Sequence, residues 1–203
     1  MRGDGDGWAF SASGARYWGR FGAAGLLLRA PLPDGTPAVL LQHRAWWSHQ
    51  GGTWGLPGGA RDSHETPEQA AVREAGEEAG LDGARIAVRT ALVTADVGTW
   101  TYTTVVADAG ERLAVAPNQE SAELRWVPEE EVAALPLHTG FAASWARLRS
   151  TVAAVPLHAD DERRRYLPRT VVIESEMFLW ATAGAPDAEP SPLSSQISAL
   201  LPS

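Results

Sequence analysis

The chain of 203 residues contains no cysteine and no lysine. Without cysteine there is no disulfide, no thiolate zinc site and no cysteine nucleophile, which fits a reducing, cytoplasmic setting. All 17 basic residues are arginine, so Schiff-base lysine and phosphate-loop lysine mechanisms are excluded. No run of about 18 apolar residues occurs, so no membrane span is expected. The first residues show no basic segment followed by a clean apolar core, so a secretory signal is not expected either. Positive charge is in deficit: the formal net charge is −8. That balance gives no general attraction to a nucleic acid polymer or to an anionic membrane surface. A small anionic substrate stays open if a metal ion reverses the local charge.

What is present points to one mixed α/β domain with a real core. Residues 1–20 are rich in glycine and small side chains and read as a flexible arm. Phe21 to Arg29 and Ala38 to His43 read as strands paired in a hairpin about the Pro31–Gly35 turn. Ala45 to Thr53 reads as a loop with Trp46, Trp47 and His49. A helix starts at Thr66, an N-cap followed by Pro67 and by Gln69 at the capping-box position, and stops at Gly80. Arg85 to Ala95 and Trp100 to Ala107 read as strands around a Gly98 turn, and Leu124 to Val127 as another. Pro128 is expected to open a short acidic helix. Phe141 to Val152 is expected to be amphipathic, with Phe141, Trp145 and Leu148 on one face. The domain is thus expected over residues 21–150. A C-terminal extension of strands packed on the same domain is expected over 151–183, including Thr170 to Ala181 after a charged turn at Asp160–Arg165. Residues 184–203 read as a disordered tail.

The informative stretch is Gly59 to Leu81. Residues three and four apart share a helix face, so Glu74, Glu77 and Glu78 lie together, with Ala71, Ala75 and Ala79 on a narrow face suited to close packing. Clustered glutamates form either a solvated acidic face or a site for a hard cation such as Mg²⁺ or Mn²⁺. Glu65 lies outside the helix, eight residues before Arg73, and can pair with it across the loop. Gly58 and Gly59 mark a place of close backbone approach.

These residues match the Nudix box, G-x5-E-x7-R-E-U-x-E-E-x-G-U. Gly59, Glu65, Arg73, Glu74, Glu77, Glu78, Gly80 and Leu81 fill its fixed and final apolar positions, and Ala75 fills the first apolar slot. The lead-in Trp54-Gly-Leu-Pro-Gly-Gly resembles that of many members. Arg44 with His49 resembles a phosphate-contacting pair of MutT-type members. Glu120 and the strand after it resemble the segment that supplies a further metal-binding glutamate. The resemblance covers roughly residues 20–150.

It implies the Nudix fold, a mixed β-sheet sandwiched between α-helices. It implies hydrolysis of a phosphorus anhydride in a nucleoside diphosphate linked to another group. It implies Mg²⁺ (with Mn²⁺ as a substitute) held by the Gly58 carbonyl, Glu74, Glu77, Glu78 and Glu120. One of those four glutamates is the base. Glu65 and Arg73 are implied as a structural ion pair, and Arg44 and His49 as substrate-binding residues. No proline or tyrosine stands at the position that marks ADP-ribose or dinucleoside polyphosphate hydrolases, and Tyr102 falls too late. The resemblance therefore implies a MutT-type nucleoside (deoxy)triphosphate pyrophosphohydrolase, with oxidised guanine nucleotides such as 8-oxo-dGTP among its substrates. Hydrolysis of ADP-ribose, a nucleotide sugar or a dinucleotide is the alternative; a non-catalytic nucleotide-sensing module or a plain acidic interaction domain are those of another class. Trp46, Trp47 and Trp100 can stack a base, and Asn118 can read a base edge or simply turn a loop. His138 and His158 read as structural. A homodimer stays open.

Overall fold

A computed structural model describes residues 3–151 and the backbone of two short strands beyond them. The strands are β1 (Trp8–Phe10), β2 (Arg16–Trp18), β3 (Ala23–Pro31), β4 (Pro37–Arg44), β5 (Trp54–Gly55), β6 (Gly58–Ala60), β7 (Ala87–Asp96), β8 (Thr101–Asp108), β9 (Ser121–Pro128), β10 (Ala154–Pro156) and β11 (Tyr166–Pro168). Helix α1 spans Pro67–Ala79 and α2 spans Thr139–Ser150. Both are shorter than a membrane crossing requires, and no described helix is long and apolar enough for one. The expected turn at 160–165, strands at 170–181 and tail from 184 lie outside the described residues.

The seven central strands form one mixed sheet with the path β5-β4-β3-β8-β7, β6 joining β3 and β9 joining β4. Strand β3 is apolar except for Arg29 and sits inside this sheet, which matches its near-continuous burial. Its alternate residues serve two layers. Leu26 and Leu28 pack with Ala70, Ala71, Ala75 and Ala79 of α1. Leu27 packs on the other face with Phe141, Trp145 and Leu148 of α2. The sheet is therefore sandwiched between helices, as the sequence implies.

Strands β3 and β4 make a fork. They pair antiparallel at Arg29↔Val39, Ala30↔Ala38 and Pro31↔Pro37. Away from that end β3 runs parallel to β8 and β4 antiparallel to β9. Residues 54–60 bridge the open end, with β5 on β4 and β6 on β3. At the closed end the buried Arg29 donates from Nε to Glu129 Oε1 at 2.9 Å and from Nη2 to the Leu148 carbonyl at 2.9 Å, which caps the last turn of α2.

Several boundaries differ from the sequence reading. Strand β3 starts at Ala23 rather than Phe21, because Gly22 adopts φ 96° and interrupts the extended run. The expected acidic helix after Pro128 is one short turn at Val132–Ala134, because Glu129 is drawn inside to Arg29. A short turn, Gly83–Arg85, precedes β7.

The largest correction concerns residues 1–20. In place of a flexible arm, β1 and β2 pair antiparallel, Trp8 opposite Trp18, with the two indoles edge-on at 5.2 Å. The hairpin is fastened to the domain. Tyr17 stacks on Trp100 at 4.8 Å, and Trp100 Nε1 donates to the Trp18 carbonyl at 2.9 Å. The Gly5 amide donates to Asp62 Oδ1 at 2.7 Å, and Ser63 donates through its amide and hydroxyl to Asp4.

Candidate active site

Helix α1 is built to hold its glutamates still. Thr66 Oγ1 accepts from the Gln69 amide, and Gln69 Oε1 accepts from the Thr66 amide at 2.8 Å, so the capping box is complete. Gly80, at φ 67°, ends the helix in the left-handed conformation. The alanine face is fully buried on the sheet, which brings the helix close to β3 and β6.

The three helix glutamates do not share one environment. Glu78 is buried, with 5% exposure, and its Oε2 accepts the Gly58 amide at 2.7 Å. Glu74 is mostly buried, whereas the Glu77 side chain is 62% exposed. Burial pushes the Glu74 carboxyl up to about 7, against the pull of Arg73. Burial also pushes Glu78 up to about 7, with the Gly58 amide opposing it and Glu74 adding to it. The Glu120 charge raises both, which puts it within electrostatic reach of the pair.

Gly59 fits against Glu74: a Cβ there would stand 2.6 Å from the Glu74 carboxyl carbon. Behind Glu78, the buried Gln42 donates from Nε2 to Ser121 Oγ at 2.9 Å, and its side chain also steadies the Glu78 carboxylate. The Gln42 Oε1 atom is buried without a partner.

Arg73 joins loop to helix. It donates to both Glu65 oxygens, from Nε at 2.6 Å and Nη2 at 2.9 Å, and also reaches the Ala60 carbonyl and Glu74. Hydrogen bonding by Arg73 holds the Glu65 carboxyl below its ordinary range.

Glu120 stands across from the helix. Its amide donates to Asn118 Oδ1 at 2.8 Å, while Asn118 donates from its amide to the Glu78 carbonyl and from Nδ2 to the Glu77 carbonyl. Asn118 is thus committed to tying this loop to the end of α1, not to a base edge. The Glu120 carbonyl accepts the Ala45 amide at 3.0 Å, which connects it to the loop of Arg44 and His49.

In that loop Arg44 Nε donates to the His49 carbonyl at 2.9 Å. Gln50 and Thr139 exchange two hydrogen bonds of 2.9 Å, which pin the loop to the start of α2. This places the His49 ring 5.7 Å from that of His138. His138 caps α2, its Nδ1 accepting the Gly140 amide at 3.2 Å. Burial pushes His138 down to about 4, aided by the Arg44 and His49 charges. His138 therefore lies against His49 and within electrostatic reach of Arg44, a neighbourhood that no sequence spacing signals. Of the tryptophans considered for stacking, Trp100 is occupied by the hairpin, whereas Trp46 and Trp47 stand 86% and 56% exposed on the loop.

Among the described residues, three candidate metal-binding side chains with donor atoms within 4.8 Å of one another occur at Asp4, Asp62 and His64. The helix glutamates do not form such a group: Glu74 is turned to Arg73 and Glu78 to Gly58. The two carboxylates are nonetheless largely buried and within electrostatic reach of one another, and oxygen donors of this kind suit a hard divalent cation.

The comparisons with known proteins agree with this geometry. A model of the NUDIX domain matches residues 21–148. The chain belongs to the Nudix family. A Mycobacterium tuberculosis protein named "Putative 8-oxo-dGTP diphosphatase 3" is 70% identical over 206 residues, covering 99% of this chain and 95% of that protein. A crystal structure of a Nudix hydrolase from M. smegmatis, RenU, is 71% identical, covers 71% of this chain and 93% of its own, and superposes with a TM-score of 0.69. A Caenorhabditis elegans Ap4A hydrolase, 20% identical with a TM-score of 0.53 over 64% of this chain and 96% of its own, shares the fold. This Nudix chain is a pyrophosphohydrolase, acting on phosphorus anhydride bonds.

Proposed function

We propose that this Nudix enzyme is a Mg²⁺-dependent hydrolase of nucleoside (deoxy)triphosphates. It releases nucleoside monophosphate and pyrophosphate, with oxidised guanine nucleotides such as 8-oxo-dGTP among its substrates. The observation that carries the substrate class is the 70% identity, over 99% of the chain, to a relative whose name states that activity. The paired burial of Glu74 and Glu78 beside Gly58 and Gly59 supports the hydrolytic half of the reading. The reading implies a cytoplasmic enzyme working on the free nucleotide pool.

In this reading Glu74, Glu77, Glu78, Glu120 and the Gly58 carbonyl hold the cation. Bound there, Mg²⁺ neutralises phosphate charge and makes bound water more acidic. Arg44 offers a planar fork to a phosphate oxygen, and His49 offers a second contact. One carboxylate among Glu74, Glu77, Glu78 and Glu120 accepts the proton of the attacking water. The water oxygen forms a bond to phosphorus, the anhydride P–O bond breaks, and the leaving phosphate carries away the electron pair. Glu65 and Arg73 hold the loop so that the glycine pair faces the carboxylates.

The test is a panel of nucleoside triphosphates, 8-oxo-dGTP, ADP-ribose, nucleotide sugars and dinucleotides with Mg²⁺, with products identified by chromatography. Monophosphate and pyrophosphate from a triphosphate support the reading. Turnover confined to ADP-ribose or a sugar nucleotide replaces it.

A further inference from the structure

The mechanism above leaves Tyr102 unused. It lies on β8 opposite Ala23 of β3, and strand side chains lean along the strand. A Cβ placed on Gly25 would fall on the Tyr102 hydroxyl and 3.3 Å from the Pro57 carbonyl oxygen. The phenol thus occupies the space that glycine leaves. Gly25 in turn touches Gly58, where an added Cβ would stand 2.5 Å from the Gly25 Cα. Gly58 is the residue whose amide meets Glu78 at 2.7 Å. Phenol, Gly25, Gly58 and Glu78 therefore follow one another in contact at the open end of the fork.

The charges acting on the phenol are those of Glu78, Arg44 and Glu74. The arginine that offers a phosphate contact and the carboxylates that suit a cation are thus within electrostatic reach of it. Among the described residues its hydroxyl makes no hydrogen bond. No acceptor among them takes its hydrogen, which leaves the donor available to a ligand oxygen. Burial, with Glu78 adding to it, pushes its pKa up, so the group stays an O–H donor at neutral pH.

We propose that Tyr102 is a substrate-binding residue whose hydroxyl donates to a phosphate oxygen of the substrate, beside the Gly25–Gly58–Glu78 contact. The proposal rests on the anhydride-hydrolysing part of the reading above and is indifferent to the base. A side chain on Gly25 would push the phenol away from this contact.

Tyr102→Phe tests this with little disturbance, since the ring and its packing remain. On whichever anhydride the wild type hydrolyses fastest, kcat/KM is expected to fall about 10- to 100-fold, the range for a lost hydrogen bond to a charged group. Binding of methylenediphosphonate with Mg²⁺, followed by calorimetry, is expected to weaken by a similar factor. Gly25→Ala is expected to lower kcat/KM in the wild type but to add little in the Tyr102→Phe background, because both changes remove the same contact. Wild-type kcat/KM and wild-type bisphosphonate affinity in Tyr102→Phe overturn the proposal, whatever happens to the melting temperature. If the wild type proves to hydrolyse ADP-ribose instead of triphosphates, the substrate reading fails while Tyr102 is tested on ADP-ribose.

Discussion

Gly59 and Glu74 are fitted to one another: a Cβ on Gly59 would meet the Glu74 carboxyl carbon at 2.6 Å and both its oxygens at 2.7 Å. The glycine is demanded by a side chain fifteen positions on, and its own φ is not in the left-handed region. An alanine there can adopt the backbone but cannot leave Glu74 where it is. Gly59→Ala is therefore expected to fold and to need more metal. The Mg²⁺ concentration for half-maximal activity should rise about tenfold or more, the range seen when a metal ligand loses its support. An unchanged Mg²⁺ titration would show that Glu74 does not hold the ion.

Glu78→Gln keeps an acceptor for the Gly58 amide and removes a buried negative charge. Turnover with Mg²⁺ is expected to fall by roughly 10²–10⁴-fold, with the melting temperature unchanged or higher. Steady-state kinetics beside thermal unfolding reads both. Wild-type kcat would contradict the role given to this carboxylate.

The raised Glu74 and Glu78 carboxyls, both near 7, make the metal-free protein sensitive to pH. Their folded values lie above the unfolded ones. The stability they contribute is present below the unfolded carboxyl range and is lost as pH rises through about 7. His138 acts with the opposite sign. Its folded value of about 4 means that its contribution is present above the unfolded imidazole range and is lost as pH falls toward 4. The double variant Glu74→Gln/Glu78→Gln isolates the carboxyl part. In chelator, the wild type should lose several degrees of melting temperature relative to the double variant between pH 5 and 8. Mg²⁺ should restore them at pH 8 far more than at pH 5. Parallel melting curves for the two proteins would refute this.

Arg73→Lys replaces a fork that meets both Glu65 oxygens by a point charge that cannot. Because Arg73 is 30% exposed, solvent screening limits the effect to on the order of 1–2 kcal/mol. Calorimetric unfolding should show it, with a smaller loss of kcat than in Glu78→Gln. A loss of activity as large as that of Glu78→Gln, at full stability, would assign Arg73 to the chemistry instead.

Removal of residues 1–20 takes away the partners of Trp100, Asp62 and Ser63. The expected result is a melting temperature lower by several degrees, with kcat and metal dependence close to wild type. An unchanged melting temperature would mean that the hairpin contributes nothing to the domain.

Helix α1 was legible because its instructions are local. Thr66, Pro67 and Gln69 start it, Gly80 ends it, and the alanine period fixes the buried face. The box glutamates were legible for the same reason, through their spacing, although spacing alone did not separate the buried Glu74 and Glu78 from the exposed Glu77. The hairpin at 8–18 was not legible. Its strands are three residues each, too short to show alternation, and its anchors at Asp62 and Trp100 lie far along the chain. Counting along the sequence from the box set Tyr102 aside as a substrate marker and gave it no other role. Its place against Gly25 comes from the parallel pairing of β3 with β8, a register no local pattern encodes. Trp100 was a candidate for stacking a base, and only the fold reveals that Tyr17 already covers it.

The short bridge at residues 54–60 has a consequence for inheritance. It hands the chain from the β4 arm of the fork, with Arg44 and its loop, to the β3 arm that receives the glutamate helix. The loop of Arg44 and His49 takes no part in the pairing of β6 with β3 or in the caps of α1. A lineage carrying this fold can thus vary that loop while keeping its glutamate helix as ancestral stock.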